Sequence, residues 1–380
     1  MRRRRRPRGR RSHAAKSPRR VLFLGAGASR PFGFPMTAEI LPEVLRRLRG
    51  RALFRQGGRG RAPKRGESAH DELRDLLARF MPALFEAETE PPLITDLLSL
   101  VDHLLFAGNA PQPDLDLAAL DRLRALLERA IAEVLSVPTV PLRADANEQL
   151  LGRFVAWMHA QAQEGGCPLS IITTNYDVVI EKRLYARLDA DEIPALVDFG
   201  LSWRSADSPG EDAAQARPAS PWLGLFKLHG SLDWLRCPLC DHIYIDPART
   251  IFRGEGGRGE PAPRAMARCI CGYRPLRHII VAPSMVRDVR NPNLLTIWHS
   301  ALEALRTADE WIVIGYSMPP EDVAIRAMLL RAHRGRARPP RVRLVERGHN
   351  AEVENRYRLL FPDLEFEGGG VEGFVHSLRR

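Results

Sequence analysis

The sequence predicts an α/β protein: a doubly wound, mostly parallel sheet with an inserted helical lobe and a small cysteine-rich module. Three observations carry this. Short apolar runs alternate with helical patterns at both ends of the chain, as strands and crossover helices do in parallel sheets. A long middle stretch is helical throughout. Four of the five cysteines fall in two close pairs, Cys237/Cys240 and Cys269/Cys271.

VLFLG at 21–25 reads as a strand buried on both faces, and MTAEILPEVLRRL at 36–48 as the helix after it. Residues 49–69 are rich in Gly and Arg and read as a mobile connection. DELRDLLARF, PLITDLLSLVDHLLF, LAALDRLRALLERAIAEVL and EQLLGRFVAWMHAQ then repeat apolar residues at i, i+3, i+4 and i+7. Together with the connection they define a helical insertion at 49–165. Strand patterning returns with PLSIITTNYD (168–177), RHIIVAPS (277–284), EWIVIGYS (310–317) and RVRLVE (341–346). Helical patterns at 293–307, 321–334 and 350–361 follow the last three. The expected core is therefore Rossmann-like, with ligands at the carboxyl ends of its strands. GAGAS, TTNYD, APS and GYS all fall at such ends.

The net charge of +11 suggests an anionic partner until it is located. Eleven of the 57 basic residues, Arg2 to Arg6, Arg8, Arg10, Arg11, Lys16, Arg19 and Arg20, lie in residues 1–20, which have no acidic residue. The remaining 46 match the 46 acidic residues. A block of that kind cannot bury apolar surface, so 1–20 is expected to be a disordered Arg-rich tail. Nucleic acid is an expected partner only through this tail. No run approaches the roughly 18 apolar residues a membrane span needs, and the Arg-rich start lacks the apolar region of a secretory signal. A cytoplasmic protein without a membrane partner is the expectation.

Four residue groups carry chemistry. In GAGAS (25–29), small residues at a strand-to-helix turn let backbone N–H groups approach a phosphate. The full dinucleotide fingerprint is absent, because Arg30 stands where its third glycine would be, and a tight turn without a ligand explains the loop equally well. In ITTNYD, Asp177 has the features of a helix cap, whereas Asn175 offers both a donor and an acceptor to a ribose or a water. His229, in LHGSLDW, is the side chain suited to proton transfer near neutral pH; a satisfied core histidine is the plainer alternative. Cys237, Cys240, Cys269 and Cys271 can supply four thiolates to a structural zinc, with a tight C-x-C second knuckle. Four reduced thiols, or a ligand exchange with His242 or His278, stay open. Cys167 reads as a small core residue.

In this order, GAGAS, GFP (33–35), TTNYD, HG (229–230), the cysteine quartet, IGYS (314–317) and LVE (344–346) resemble the sirtuins. The run from IIVAPSM through ADEWIVIGYSMP resembles their large, divergent bacterial branch. The likeness spans residue 21 to about 365 and implies a sirtuin-like domain over 21–380, with a zinc module at 237–272. It also implies NAD as substrate, held between the Rossmann-like lobe and the two smaller units. On the matching positions, Gly25, Ala26, Gly27 and Ser29 would line the pyrophosphate, with Thr174 also among the NAD-binding residues. Asn175 and Asp177 would face the nicotinamide ribose, with His229 as general base. Gly315 and Ser317 would contact the adenosine side, and Glu346 its ribose.

Two departures bear on the reaction. Sirtuin deacylases follow G-x-P with Asp-Phe-Arg, where this chain has Met36, Thr37 and Ala38. They also carry a Phe-Gly-Glu segment that pairs with the acyl-lysine peptide, where this chain reads VAPSMVRD. The resemblance therefore implies an NAD glycohydrolase yielding nicotinamide and ADP-ribose, as in bacterial members implicated in phage defence. An NAD-dependent deacylase or ADP-ribosyl transferase, and a non-catalytic NAD or ADP-ribose sensor, are the alternatives. Whether the chain works as a homo-oligomer or with a separately encoded partner stays open.

Overall fold

The computed structural model describes residues 18–54, 68–86, 89–136, 144–164, 169–188, 191–205, 214–245, 269–273, 276–281 and 292–378. Most of the Arg-rich tail, most of the 49–69 connection, Cys167 and the segment after Val281 lie outside these residues.

The first half runs β1 (Arg20–Leu24), α1 (Ala26–Ser29), α2 (Thr37–Arg49), α3 (Ala69–Phe80), α4 (Ile94–Ala107), α5 (Leu117–Leu135) and α6 (Ala144–Glu164). Next come β2 (Leu169–Thr173), α7 (Val179–Tyr185), α8 (Ile193–Leu196), β3 (Val197–Asp198), β4 (Trp203–Ser205) and β5 (Ala214–Gln215). The centre of the molecule is completed by β6 (Leu223–Lys227), β7 (Gly230–Arg236), β8 (Ile243–Ile245) and β9 (Arg277–Ile280). The last part runs α9 (Pro292–Thr307), β10 (Glu310–Ile314), α10 (Val323–Arg334) and β11 (Arg341–Val345). It closes with α11 (Ala351–Arg358), β12 (Glu365–Glu367) and α12 (Gly370–Ser377).

Seven strands form a parallel sheet in the order β12-β11-β10-β1-β2-β6-β3. Its middle strands read as near-continuous apolar runs because helices cover them: β1 and β10 are buried almost throughout. The chain winds outward from β1 in both directions, to β2 on one side and β10 on the other. The strand order therefore reverses at β1, where open α/β sheets hold their ligands.

The register has a direct consequence for function. Val345, Ile314, Leu24, Thr173 and Lys227 lie in one row across β11, β10, β1, β2 and β6. Five strands thus end together, and the residues after them start from one rim.

A second sheet, β5-β4-β8-β7-β9, stands beside the first. RHII (277–280) reads in the sequence as another strand of the parallel sheet. It is instead β9, antiparallel to β7 in this second sheet. The parallel place is filled by β6, whose apolar run is interrupted by Gly224 and Lys227.

Two large hydrophobic cores result. One joins the parallel sheet to α6, α9, α10 and α12. The other is made chiefly by α2 to α5, with Tyr176, Val178, Leu232 and Ile280 entering from the sheet side. Of the helices in and around 49–165, α2 thus packs with the helical unit and α6 packs on the sheet. Periodicity reveals that a helix has an apolar face, not which neighbour covers it.

Candidate functional site

The rim is held by close backbone packing. Gly25 N–H donates to Ile314 O (3.0 Å) and Gly27 N–H to Gly315 O (2.9 Å). A Cβ on Gly25 would lie 2.5 Å from Gly315 O, and one on Gly27 2.7 Å from Gly315 Cα. Gly315 itself has φ +63°. These three glycines let the β1 and β10 loops touch, and Gly27 has its N–H committed to that contact. Of the two causes the sequence leaves open for the missing bulk, a ligand or a tight turn, the immediate one here is the turn packed on its neighbouring loop.

Asn175 ties the next loop to this one. Its Nδ2 donates to Gly25 O (2.9 Å) and to Ser29 Oγ (3.1 Å), while its backbone N–H donates to Thr173 Oγ1 (3.0 Å). Both amide hydrogens are therefore engaged, and the carbonyl oxygen is the atom left to address a ligand.

Asp177 is buried. Its Oδ1 accepts from Val179 N–H (3.3 Å), a turn bond made one residue before the N-cap position, which Val178 holds without a side-chain cap. Burial and the nearby Glu181 raise its pKa to about 6, against the opposing pull of Lys227 and the Ser29 hydroxyl. Lys227, 1% exposed, anchors this stretch from below: Nζ donates to Asp177 O (2.6 Å) and pairs with Glu181.

His229 follows β6 and is 5% exposed. Its backbone carbonyl accepts from Val281 N–H (2.9 Å), and its ring lies 6.3 Å from that of Tyr176. The glycine beside it has a structural cause. Gly230 has φ +85°, and a Cβ there would meet Ile279 O at 2.1 Å, because β9 crosses at that point.

These residues converge on a cavity of about 270 Å³ between the sheet rim and the helical unit. Of the residues expected at the site, Ala26, Thr174, Asn175, Asp177, His229, Gly315 and Ser317 line it. Gly25, Gly27 and Ser29 stand behind that lining. Glu346 is on the same rim, one strand beyond Gly315 and outside the cavity. Its Oε1 is buried with no hydrogen-bond partner among the described residues, and burial raises its pKa to about 7.

Tyr316, inside the GYS segment but given no role of its own above, also lines the cavity, as do Asp322 and Thr95, of which sequence patterning offers no sign. Thr95 lies in the first turn of α4. Its Oγ1 is buried with no hydrogen-bond partner among the described residues, so the helical unit presents a hydroxyl that a ligand could satisfy. Met36, Thr37 and Ala38 complete that side of the wall.

The four cysteines meet at the far end of the second sheet. Cys237 and Cys240 sit on the turn between β7 and β8, and all four Sγ atoms lie within 4.8 Å of one another. Cys237 and Cys271 are 3.6 Å apart, and Cys240 and Cys269 3.3 Å. A tetrahedral zinc with Zn–S bonds of about 2.3 Å needs sulfurs roughly 3.8 Å apart, so the donor set fits. The turn is built for it: Leu239 N–H points at Cys237 Sγ (3.4 Å), and Gly272 closes the C-x-C side with φ +91°. His242 touches Cys240 through Nδ1 (3.1 Å). Burial opposes ionisation of Cys269, but hydrogen bonds led by that from the Tyr244 hydroxyl outweigh it and bring its pKa to about 7.

A parallel sheet with a cavity at its switch point, a helical unit over that cavity and a four-thiol module define an α/β ligand-binding protein. A family model described as the SIR2-like domain matches residues 169–360, and the chain belongs to that family. Among 44 matching solved chains is a crystal structure of Sir2 in complex with an inhibitor, 2′-O-acetyl-ADP-ribose and a deacetylated peptide. It is 12% identical, with a TM-score of 0.34, over 95% of this chain and 92% of that one. No curated protein matches.

Proposed function

We propose that the chain binds NAD along the strand-end rim and cleaves its nicotinamide–ribose bond with water as acceptor, giving nicotinamide and ADP-ribose. The observation that carries this reading is the convergence of Asn175, Asp177 and His229 on one cavity behind a small-residue loop. From β6 to β11 the rim spans four strand spacings, about 19 Å, which suits an extended dinucleotide. Its reactive end would sit in the cavity and its adenosine end toward Glu346.

Breaking the bond builds positive charge on the ribose while nicotinamide leaves neutral. A fixed carbonyl oxygen on Asn175 would stabilise that charge without reorganising, since Gly25 and Ser29 already hold the amide. His229 would orient the attacking water and take its proton, a contribution of about 10²–10⁴ in rate. Met36, Thr37 and Ala38 line the cavity where deacylases carry Asp-Phe-Arg, which favours water over an acyl-lysine peptide. By the same likeness to the divergent bacterial branch, the physiological setting would be phage defence.

Cys237, Cys240, Cys269 and Cys271 would hold one zinc. Four protein thiolates leave no open position, so the ion would brace the module rather than react.

Incubating the protein with NAD alone tests the proposal. Nicotinamide release without any peptide supports it. Release only with an acetyl-lysine peptide would reassign the reaction to deacylation, and tight binding without turnover would make the chain a sensor.

A further inference from the structure

Asp322 is a buried carboxylate on the cavity wall that the reaction above does not use. It occupies the N-cap position of α10, where an aspartate ordinarily accepts from the first N–H groups of its helix. Here it makes no side-chain cap. Oδ2 accepts a hydrogen bond from the Tyr316 hydroxyl (2.7 Å) instead, and Oδ1 lies 3.9 Å from His229 Nε2.

The mounting is rigid. Tyr316 is 4% exposed, its ring packs 4.9 Å from that of Phe23, and its carbonyl accepts from the buried Tyr357 hydroxyl (2.8 Å). Backbone bonds hold Asp322 from both sides: its N–H donates to Pro319 O (3.1 Å), and its carbonyl accepts from Arg326 N–H (3.1 Å). The carboxylate is thus held by a tyrosine, not by the first turn of its own helix. The neighbour it faces is His229.

We infer that Asp322 is a positioning residue for His229, an inference that rests on the proposed NAD cleavage. A carboxylate only accepts, so it favours the tautomer carrying hydrogen on Nε2 and leaves Nδ1 as the basic nitrogen. The separation is that of an ion pair. During the reaction Nδ1 takes a proton from water, and the water oxygen bonds to the ribose carbon as the bond to nicotinamide breaks. The imidazolium then faces the Asp322 carboxylate until the proton passes to solvent. NAD and water thus become nicotinamide, ADP-ribose and one proton.

Two measurements test this. Nitrogen NMR of histidine-labelled protein reads the tautomer directly and needs no turnover. The expected result is an Nε2–H imidazole at His229 in the parent, shifting toward Nδ1–H in the isosteric Asp322→Asn. The same tautomer in both proteins would overturn the inference. Steady-state kinetics with NAD should show kcat falling about 10- to 100-fold in Asp322→Asn with KM within about threefold. Asp322→Glu should recover part of the loss, and Asp322→Asn should cost nothing further on a His229→Ala background. A loss that persists undiminished in the His229→Ala background, or that tracks a fall in melting temperature, would make Asp322 merely structural. If the parent releases no nicotinamide, the proposed reaction fails, and the NMR comparison still decides the role of Asp322.

Discussion

Gly27 and Gly315 meet backbone to backbone, with the Gly27 N–H on Gly315 O at 2.9 Å and no room for a Cβ on either residue. A Cβ on Gly315 would lie 2.4 Å from Ala28 N, at a φ of +63° that side chains rarely adopt. Gly315→Ala should therefore destabilise the protein by about 2–5 kcal/mol, combining strain with overpacking. Gly348→Ala, where nothing lies within 4 Å of the added atom, should stay within about 0.5 kcal/mol. Denaturant unfolding of the two variants makes the comparison. Equal stabilities would show that the loops do not interlock.

Asn175 and His229 should separate into different kinds of loss. His229→Ala should cut nicotinamide release about 10²–10⁴-fold while leaving the melting temperature near that of the parent. Asn175→Ala should abolish turnover and also remove the donor that Gly25 O and Ser29 Oγ share, at about 1–3 kcal/mol of stability. Parallel rate and melting measurements distinguish the two. Unchanged rates in both variants would remove the catalytic assignment.

Glu346 makes a pH prediction. Burial raises its carboxyl from 4.5 to about 7 in the folded protein. Between those values the folded chain keeps a proton that the unfolded chain has released, so stability falls as pH rises through that window and levels off above it. Glu346→Gln should remove this slope, raising the melting temperature by about 1–3 °C at pH 8 and leaving it unchanged at pH 4. If the carboxylate accepts from a ribose hydroxyl, NAD affinity should rise with pH over the same window, and Glu346→Gln should lower it about tenfold at pH 8. Melting curves and NAD titrations at both pH values provide the check.

The site was legible where an apolar strand stops at a polar cluster. GAGAS and GYS start one step past a common row of strand ends and TTNYD starts in it, and parallel register turns that sequence feature into proximity. β6 was hidden because Lys227, fully buried under Asp177 and Glu181, looks like a surface residue in a string of letters. β9 was visible as a strand but not as a member of the second sheet, since four residues of RHII carry no sign of their partner. Asp322 carries no signal in the sequence; the hydrogen bond from Tyr316 and the nearness of His229 emerge only in the fold.

The cysteine module yields the last prediction. Cys237 and Cys269 share a small core with Leu235, Tyr244 and Leu276, apart from the two large cores. Among the described residues that core is small, and four thiols at these distances suit a metal that would hold the loop pair together. The purified chain should contain about one zinc, measured by elemental analysis, and Cys240→Ser should lose it. Loss of the ion should loosen β7, which runs from Gly230 beside His229 to Arg236 next to Cys237. A structural zinc thus predicts that removal by a chelator lowers the melting temperature and slows NAD cleavage together, and that both recover when zinc is restored. A chain that melts and turns over identically with and without zinc would sever that connection.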